Sequence, residues 1–416
     1  MLISARRLAA KLRGEFATTF SSLRHRDYLV YSIGQLVSMT GTWTQQIALA
    51  WITYSITHSA WLLGLVSLFA NVPVLLLSLV GGMVADRFDR RRVIMITQYV
   101  EMALATLLTV LVFTNHLEVW MILGMSALFG VANAFEMPAR QAFFPELVHG
   151  ENLVNAISLN SVIFNITRMC GPALGAILLV AVGQAACFGL NALSFLAAIV
   201  TLHMLRPEIT PAPKKKSKVP MSEGLRIAFG TAPIRNIFIL TFFTSFFGFQ
   251  ISALLPVFVS DVFHASAGSL GLLSAASALG ALGGSLFLAS RGKKEQLSRT
   301  AGLAAIGVAL TLFAFSFSHS IWLSAAINIF IGVAVSMQLN SANSLLQLSV
   351  TDDVRGRVMS VYTMTMLGAV PFGSLAIGHL ADIMGAPIAV LVCAVACGLS
   401  ALFYITRKST APEIAP

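Results

Sequence analysis

Charged residues are scarce in this chain, at 11% of 416 residues, whereas soluble globular domains carry about 25%. Hydrophobic residues make up 57% of the chain. This composition excludes an ordinary soluble domain, because a water-exposed surface needs more charged side chains than this sequence supplies. The sequence therefore predicts a protein embedded in a membrane.

Cysteine and histidine are also scarce, and the sequence has no phosphate-binding loop. All four cysteines lie within apolar runs, which argues against a disulfide framework or a zinc site. The eight histidines are scattered, and no Gly-x-x-x-x-Gly-Lys-Ser/Thr loop is present to bind a nucleotide. We therefore expect a protein that is not an enzyme, with no catalytic residue, no metal, no cofactor and no direct use of ATP. The cysteines are Cys170, Cys187, Cys393 and Cys397.

Lysine and arginine are absent from every second loop between the apolar runs. Of the 27 basic residues, all but Arg168 lie in the remaining segments, which the positive-inside rule places in the cytoplasm. This pattern predicts a bacterial inner-membrane protein with both termini in the cytoplasm. The net charge of +10 then reflects topology and contact with anionic lipids, not nucleic-acid binding.

Twelve apolar runs are long enough to cross a bilayer, which takes about 20 residues of helix. We therefore predict an all-α membrane protein with twelve transmembrane helices. The predicted spans are 28–52, 60–83, 93–114, 118–137, 152–181, 184–205, 235–260, 268–290, 299–317, 321–343, 355–383 and 386–406. The predicted regions are an amphipathic cytoplasmic segment 1–26, a six-helix bundle 27–205, a linker 206–234, a second bundle 235–406 and a tail 407–416. A partly ordered basic tail is the alternative for residues 1–26.

Two sequence features of the first six spans recur about 200 residues later. Gly81-Gly82 before a basic loop matches Gly283-Gly284, and Gly171-Pro172 matches Val370-Pro371. These recurrences predict two pseudo-repeated six-helix bundles. In secondary transporters built from such repeats, the binding site lies at the repeat interface near the middle of the membrane.

The loop after the second span carries the most specific motif. Gly82-Met83-Val84-Ala85-Asp86-Arg87, closed by Arg90, Arg91 and Arg92, resembles the signature loop of the major facilitator superfamily. Asp89 stands where that family usually has glycine. With this residue, the sequence Asp-Arg-Phe-Asp-Arg-Arg-Arg resembles the branch of the family that contains enterobactin exporters and drug and macrolide efflux proteins. Further resemblance lies at residues 137–147, 168–175 and 355–358.

The resemblance implies a secondary exporter that works by alternating access, with proton exchange as the driving reaction. It implies a small-molecule cargo, either a siderophore such as enterobactin or an amphipathic drug, carried by what we expect to be a monomer. A lipid or lysophospholipid flippase is the alternative transport function, and a non-transporting membrane receptor is a further alternative.

Asp86 ends a helix, where the negative end of the helix dipole disfavours a carboxylate. It therefore needs cationic partners, and the nearest are Arg87, Arg90 and Arg91. We expect this cluster, with Gly82, to form a latch that holds one arrangement of the two bundles. The alternative is ordinary loop charge, which explains the arginines but not the aspartate.

Polar residues recur every third or fourth position in three spans, so each set shares one helix face. A polar face cannot point toward lipid, so it faces other helices or a water-filled cavity. Interhelical hydrogen bonding is the alternative for any single set. The candidate cavity residues are Gln35, Thr42 and Gln45 in the first span, Ser161, Asn165 and Arg168 in the fifth, and Asn328, Ser336 and Asn340 in the tenth.

Arg168 lies deep in its predicted span, where an arginine costs on the order of 3 kcal/mol or more. We expect it to bind an anionic group of the cargo, and the alternative is a structural ion pair with Glu101 or Glu136. These two glutamates are also the candidates for proton coupling. Glu136 has a second possible partner in Arg140, although Pro138 is expected to disrupt the helix between them.

Overall fold

The computed structural model describes Ser22 and residues 25–148, 153–205, 221–289 and 294–407, and all regular elements in these ranges are helical. The helices are α1 (Arg26–Thr57), α2 (Ala60–Arg87), α3 (Arg90–Phe113), α4 (Val119–Phe143), α5 (Leu153–Ala181), α6 (Gln184–Met204), α7 (Met221–Gly230), α8 (Ala232–Val262), α9 (Gly268–Ala289), α10 (Lys294–Ser316), α11 (Ile321–Ser349), α12 (Asp352–Met384) and α13 (Ala386–Thr406). A short 3₁₀ turn, Phe144–Leu147, follows α4, and α8 contains two π-helical turns, Thr244–Gly248 and Phe258–Val262.

Within the described residues, eleven helices are long and apolar enough to cross a membrane. The helix that falls short in apolar content is α1, which has 32 residues and carries many polar side chains on its buried face. It packs along α5 and α6, so its buried polar groups face the interior of the bundle and not lipid. The predicted all-α membrane fold is confirmed, and with α1 included the helices are consistent with the predicted count of twelve spans.

Both halves use glycines to bring a matching pair of helices together. In the first half, α2 packs on α4, and a Cβ on Gly81 or Gly130 would overlap a backbone carbonyl of the facing helix. In the second half, α9 packs on α11 with Gly280 and Gly332 in the same role. Without a strong hydrophobic effect in lipid, such close backbone packing is a main source of helix association. The shared arrangement agrees with the predicted pseudo-repeat.

The two halves meet along two helix pairs, α2 with α12 and α5 with α9. The outer surface of the bundle is apolar, with side chains such as Leu79 (74% exposed) and Trp322 (76% exposed) pointing outward. Exposure of this kind is the inverse of a soluble protein and fits contact with lipid tails.

The structure differs from the predicted boundaries where helices extend beyond the bilayer thickness. The helices α1, α4 and α11 continue to Thr57, Phe143 and Ser349, because the flanking polar residues do not interrupt helical hydrogen bonding. The predicted linker contains α7, which packs against α12. The rest of that linker up to residue 220 lies outside the described residues. So do the tail from residue 408 onward and, apart from Ser22 and residues 25–26, the predicted amphipathic segment.

Candidate functional site

A cavity of about 630 Å³ lies between the two halves, within the size range of small-molecule pockets. The first half contributes mainly α1, α4 and α5, and the second half contributes α8, α9 and α11. The lining residues lie from the middle of these helices toward one end of the bundle. We call this end the basic face, because it carries Arg26, Arg90, Arg140, Arg235, Arg355 and Arg407.

Two of the three candidate residues in α1 line the cavity. Gln35 and Thr42 face it, with Ser38 between them. Gln45 does not line the cavity, because its side-chain oxygen accepts a hydrogen bond from Asn191 Nδ2 of α6 at 2.8 Å. For Gln45 the alternative interpretation, hydrogen bonding between helices, is the correct one.

The candidates in α5 and α11 divide in a similar way. Ser161, Asn165 and Arg168 all line the cavity, as do Ser336 and Asn340. Asn328 does not, and the prediction for it was wrong. Its Nδ2 donates to the backbone oxygen of Leu273 at 3.2 Å, and the residue is 1% exposed between α11 and α9.

A buried amide joins the two candidate acidic residues. Gln98 Nε2 donates to Glu136 Oε1 at 2.8 Å and to Glu101 Oε2 at 3.4 Å. Ser38 Oγ donates to Gln98 Oε1 at 3.5 Å, which connects α1 to the same cluster. Glu101 and Glu136 both line the cavity and are 8% and 5% exposed. Two carboxyl groups from α3 and α4 therefore share one amide donor at the edge of the cavity.

Glu136 forms an ion pair with Arg140, four residues later in the same helix. The expectation that Pro138 disrupts this helix was wrong, because α4 continues through it to Phe143. Proline removes a single backbone donor, and packing on α2 and α3 holds the rest of the helix in place. One of the two acidic residues thus has a cationic partner on its own helix.

Arg168 has no ion pair and no side-chain hydrogen bond to the described part of the chain. It lies about 22 Å of helix rise beyond Leu153, the first residue of α5, and it faces the cavity. A guanidinium in this position has donors available to a bound molecule. Neither Glu101 nor Glu136 neutralises it.

The signature loop packs on the basic face of the first half. Arg90 forms an ion pair with Glu146, and it donates to the backbone oxygens of Ala85 and Ala142, each at 3.2 Å. Arg91 Nη2 donates to the backbone oxygen of His203 at 3.2 Å. These bonds tie the loop to the ends of α2, α4 and α6.

Several lining residues were not among the sequence candidates. Arg140 and Gln141 bring α4 into the site. Gln98 was missed, although its position three residues before Glu101 places both side chains on one helix face. That spacing was the available signal.

Comparison with known proteins gives one family and many relatives. A family model described as transmembrane secretion effector matches residues 17–414. The chain is 27% identical to the staphyloferrin A transporter of Staphylococcus aureus over 372 residues, covering 88% of this chain and 93% of the relative. It is 24% identical to macrolide efflux protein A of Streptococcus pyogenes over 377 residues, covering 88% and 92%.

Among solved structures, the fold is similar to that of a bacterial homolog of the human lysosomal transporter Spinster. The TM-score is 0.73 at 15% sequence identity, and the match covers 92% of this chain and 96% of the other. This likeness concerns the helix arrangement alone.

Proposed function

We propose that this chain, which belongs to the transmembrane secretion effector family of the major facilitator superfamily, exports an anionic small molecule by alternating access. The family makes it a multi-pass membrane transporter of the efflux branch, with a small molecule as its cargo. The observation that carries the finer proposal is Arg168, a cation in the cavity wall with no partner in the described part of the chain.

The cargo that fits this wall carries a carboxylate or catecholate and a larger polar or aromatic body. A guanidinium offers a planar set of donors that matches such an anion in a bidentate way. Trp43, Phe164 and Phe249 also line the cavity, and their rings suit an amphipathic molecule. A siderophore meets both requirements, in line with the relative named for staphyloferrin A. An amphipathic drug is the second candidate, in line with the relative named for macrolides, and it meets the requirement for a larger body.

Proton exchange at Glu101 supplies the coupling. Glu136 is paired with Arg140, whereas the described residues give Glu101 only the amide of Gln98. With both glutamates ionised, the cluster of Glu101, Glu136 and Arg140 carries one net negative charge in a largely water-excluded site. A proton on Glu101 makes it neutral, so Glu101 is the residue that takes up and releases the coupling proton.

Cargo enters from the basic face, which we assign to the cytoplasm. The lining residues extend toward that face, which supports entry of a cytoplasmic molecule to Arg168 from this side. The signature loop around Gly82, Asp86, Arg87, Arg90 and Arg91 lies at the same end and serves as the latch that closes it. Asp86→Asn and Arg90→Ala should each slow transport without lowering expression, and the double variant should be less than additive.

Counterflow in proteoliposomes tests the exporter directly. The purified protein is reconstituted, loaded with an unlabelled carboxylate siderophore, catecholate siderophore or macrolide, and exposed to the labelled form with and without a pH gradient. We expect counterflow of an anionic cargo, accelerated net transport when the gradient is applied, and counterflow of that cargo reduced about 100-fold by Arg168→Gln.

Three outcomes would contradict the proposal. Binding without flux for every compound would indicate a receptor. Movement of labelled lysophospholipid between leaflets, with no counterflow of soluble cargo, would indicate a flippase. Transport that responds to membrane potential but not to a pH gradient would exclude proton exchange at Glu101.

A further inference from the structure

At the end of the bundle opposite the basic face, α2 and α12 pack backbone to backbone across the two halves. A Cβ on Gly64 would lie 2.6 Å from the backbone oxygen of Ser374, and a Cβ on Gly378 would overlap the backbone oxygen of Ala60. These two glycines permit the contact. Neither glycine lines the cavity, so the contact is separate from the site described above.

Asp382, near the end of α12, caps the first turn of α2. Its carboxylate accepts hydrogen bonds from Ser59 Oγ and from the backbone N–H of Ala60, both at 2.6 Å, and from the backbone N–H of Trp61 at 3.1 Å. The N-terminus of a helix has unpaired N–H groups and a positive dipole end, so a carboxylate stabilises it. Ser59 is the N-cap of α2, and its hydroxyl accepts from the backbone N–H of Leu62 at 3.3 Å. Asp382, a residue of the other half, binds the backbone N–H groups of Ala60 and Trp61 in addition.

A second hydrogen bond joins the halves at the same end. The Tyr54 hydroxyl of α1 donates to Asp261 Oδ2 of α8 at 2.5 Å. Tyr54 is 3% exposed and belongs to a hydrophobic cluster that contains residues of both halves, including Ala60 and Phe258. Two acidic residues of the second half thus bind donors of the first half at this end of the bundle.

The sequence around Asp382 matches the signature loop at the other end of α2. Gly378-His379-Leu380-Ala381-Asp382 and Gly82-Met83-Val84-Ala85-Asp86 are both Gly-x-x-Ala-Asp, and each lies in the last turns of its helix. The two helices run in opposite directions, so the motifs lie at opposite ends of one helix pair. In this structure Gly378 packs on Ala60, whereas a Cβ on Gly82 would have no neighbour within 4 Å among the described residues.

We infer that Asp382, with Ser59 as its hydroxyl donor and with the Tyr54–Asp261 hydrogen bond beside it, is the gate that keeps the face opposite the basic face closed. Release of cargo on that side requires α12 to leave the N-terminus of α2, which breaks three hydrogen bonds to one carboxylate. The role in release rests on the proposed export function. Closure of this face by the gate can be measured without any cargo.

Distances between spin labels at this face test the gate. The labels are placed at His116→Cys and His319→Cys, exposed loop positions in different halves and outside the gate, in a background with the exposed Cys170 replaced by serine. Losing a cap of this kind changes a two-state equilibrium by about fivefold. We expect Asp382→Ala to raise the population at longer distance by about that factor, and Ser59→Ala and Tyr54→Phe to shift it in the same direction by less.

Glu118→Ala is the matched control. Glu118 is an exposed acidic residue at the same face whose carboxylate accepts from Trp120 Nε1 at 2.5 Å within its own half. The control should leave the distribution unchanged. Distributions for Asp382→Ala that superpose on those of the control would overturn the gate. If Asp382→Ala does not fold, Ser59→Ala and Tyr54→Phe decide by the same criterion.

The measurement uses no cargo, so it separates the gate from the proposed function. A distance shift in a protein that shows no counterflow would reject the exporter and support the gate. Counterflow by the wild type without any shift in the gate variants would reject the gate and leave the exporter in place.

Discussion

The two walls of the cavity come from the two pseudo-repeated halves, yet they carry different chemistry. All the charged lining residues, Glu101, Glu136, Arg140 and Arg168, belong to the first half. The lining of the second half is small, hydroxyl-bearing, amide-bearing or apolar, with no charged residue among the described positions. A common packing scheme has therefore been kept while the ionic groups are confined to one wall.

Two of the polar side chains of the second wall already have hydrogen-bond partners within their own half. Asn340 Nδ2 donates to Ser285 Oγ at 3.0 Å, and Ser336 Oγ donates to the backbone oxygen of Val333 at 3.1 Å. Arg168 has no such bond to the described residues, so it has more to gain from a bound anion. We conclude that the first wall fixes the charge of the cargo and moves the proton, while the second wall sets shape.

The largest expected effect is on the first wall. Arg168→Gln should reduce transport of an anionic cargo by about 100-fold, because a charge-assisted bidentate contact contributes up to about 3 kcal/mol. Arg168→Lys keeps the charge without the planar donors and should lose less. The measurement is initial rate of counterflow at matched protein amounts. Wild-type rates in Arg168→Gln would remove the cargo role of this residue.

Glu101→Gln should uncouple transport from protons. Counterflow should persist, whereas a pH gradient of one unit should no longer give the roughly tenfold accumulation that one exchanged proton supplies. Glu136→Gln is the comparison, because it leaves the cationic Arg140 without its carboxylate partner and should lower thermal stability instead. Gradient-driven accumulation that survives in Glu101→Gln would place the proton site elsewhere.

The framework of the second wall should respond to steric changes. Gly280→Ala places a methyl group against the backbone oxygen of Ile329. Overpacking of this kind lowers the free energy of unfolding by about 1–3 kcal/mol. Gly283→Ala has open space at its Cβ and should be neutral or slightly stabilising. Thermal unfolding in detergent compares the two. Equal melting temperatures would show that close packing of α9 on α11 is not needed.

The smallest effect is expected for the polar groups of the second wall. Asn340→Ala and Ser336→Ala should raise the KM for cargo by about two- to fivefold, since each removes a neutral hydrogen-bonding group worth about 0.5–1 kcal/mol. The maximal rate and the proton dependence should stay as in the wild type. If either variant reduced transport of the anionic cargo as much as Arg168→Gln does, the two walls would not have different roles.

The same contrast explains what sequence reasoning could and could not find. Helix spans follow from apolar length, and the pseudo-repeat follows from glycines, so the fold was predictable from local composition. Arg168 was predictable because a cation inside an apolar run has no ordinary explanation. The partners of polar residues depend on helix rotation and contact, which one sequence does not specify.

Particular residues show this limit. Gln45 and Asn328 share the periodicity of true lining residues but hydrogen-bond to neighbouring helices. Arg140 lines the cavity because α4 continues through Pro138, a continuation that local propensity argues against. Asp382 gave no signal alone, since its partner lies 322 positions away in the chain.

The central claim, that Arg168 recognises the anionic group of the cargo, is tested most directly by a cycle that pairs this residue with the cargo's charge. Trp43 lines the cavity and reports binding by its fluorescence in a variant whose other four tryptophans are replaced by phenylalanine. Affinities are measured for an anionic cargo and its neutral ester, in this variant with Arg168 and with Arg168→Gln. We predict a preference for the anion of about tenfold or more that disappears in Arg168→Gln. An unchanged preference would contradict the account.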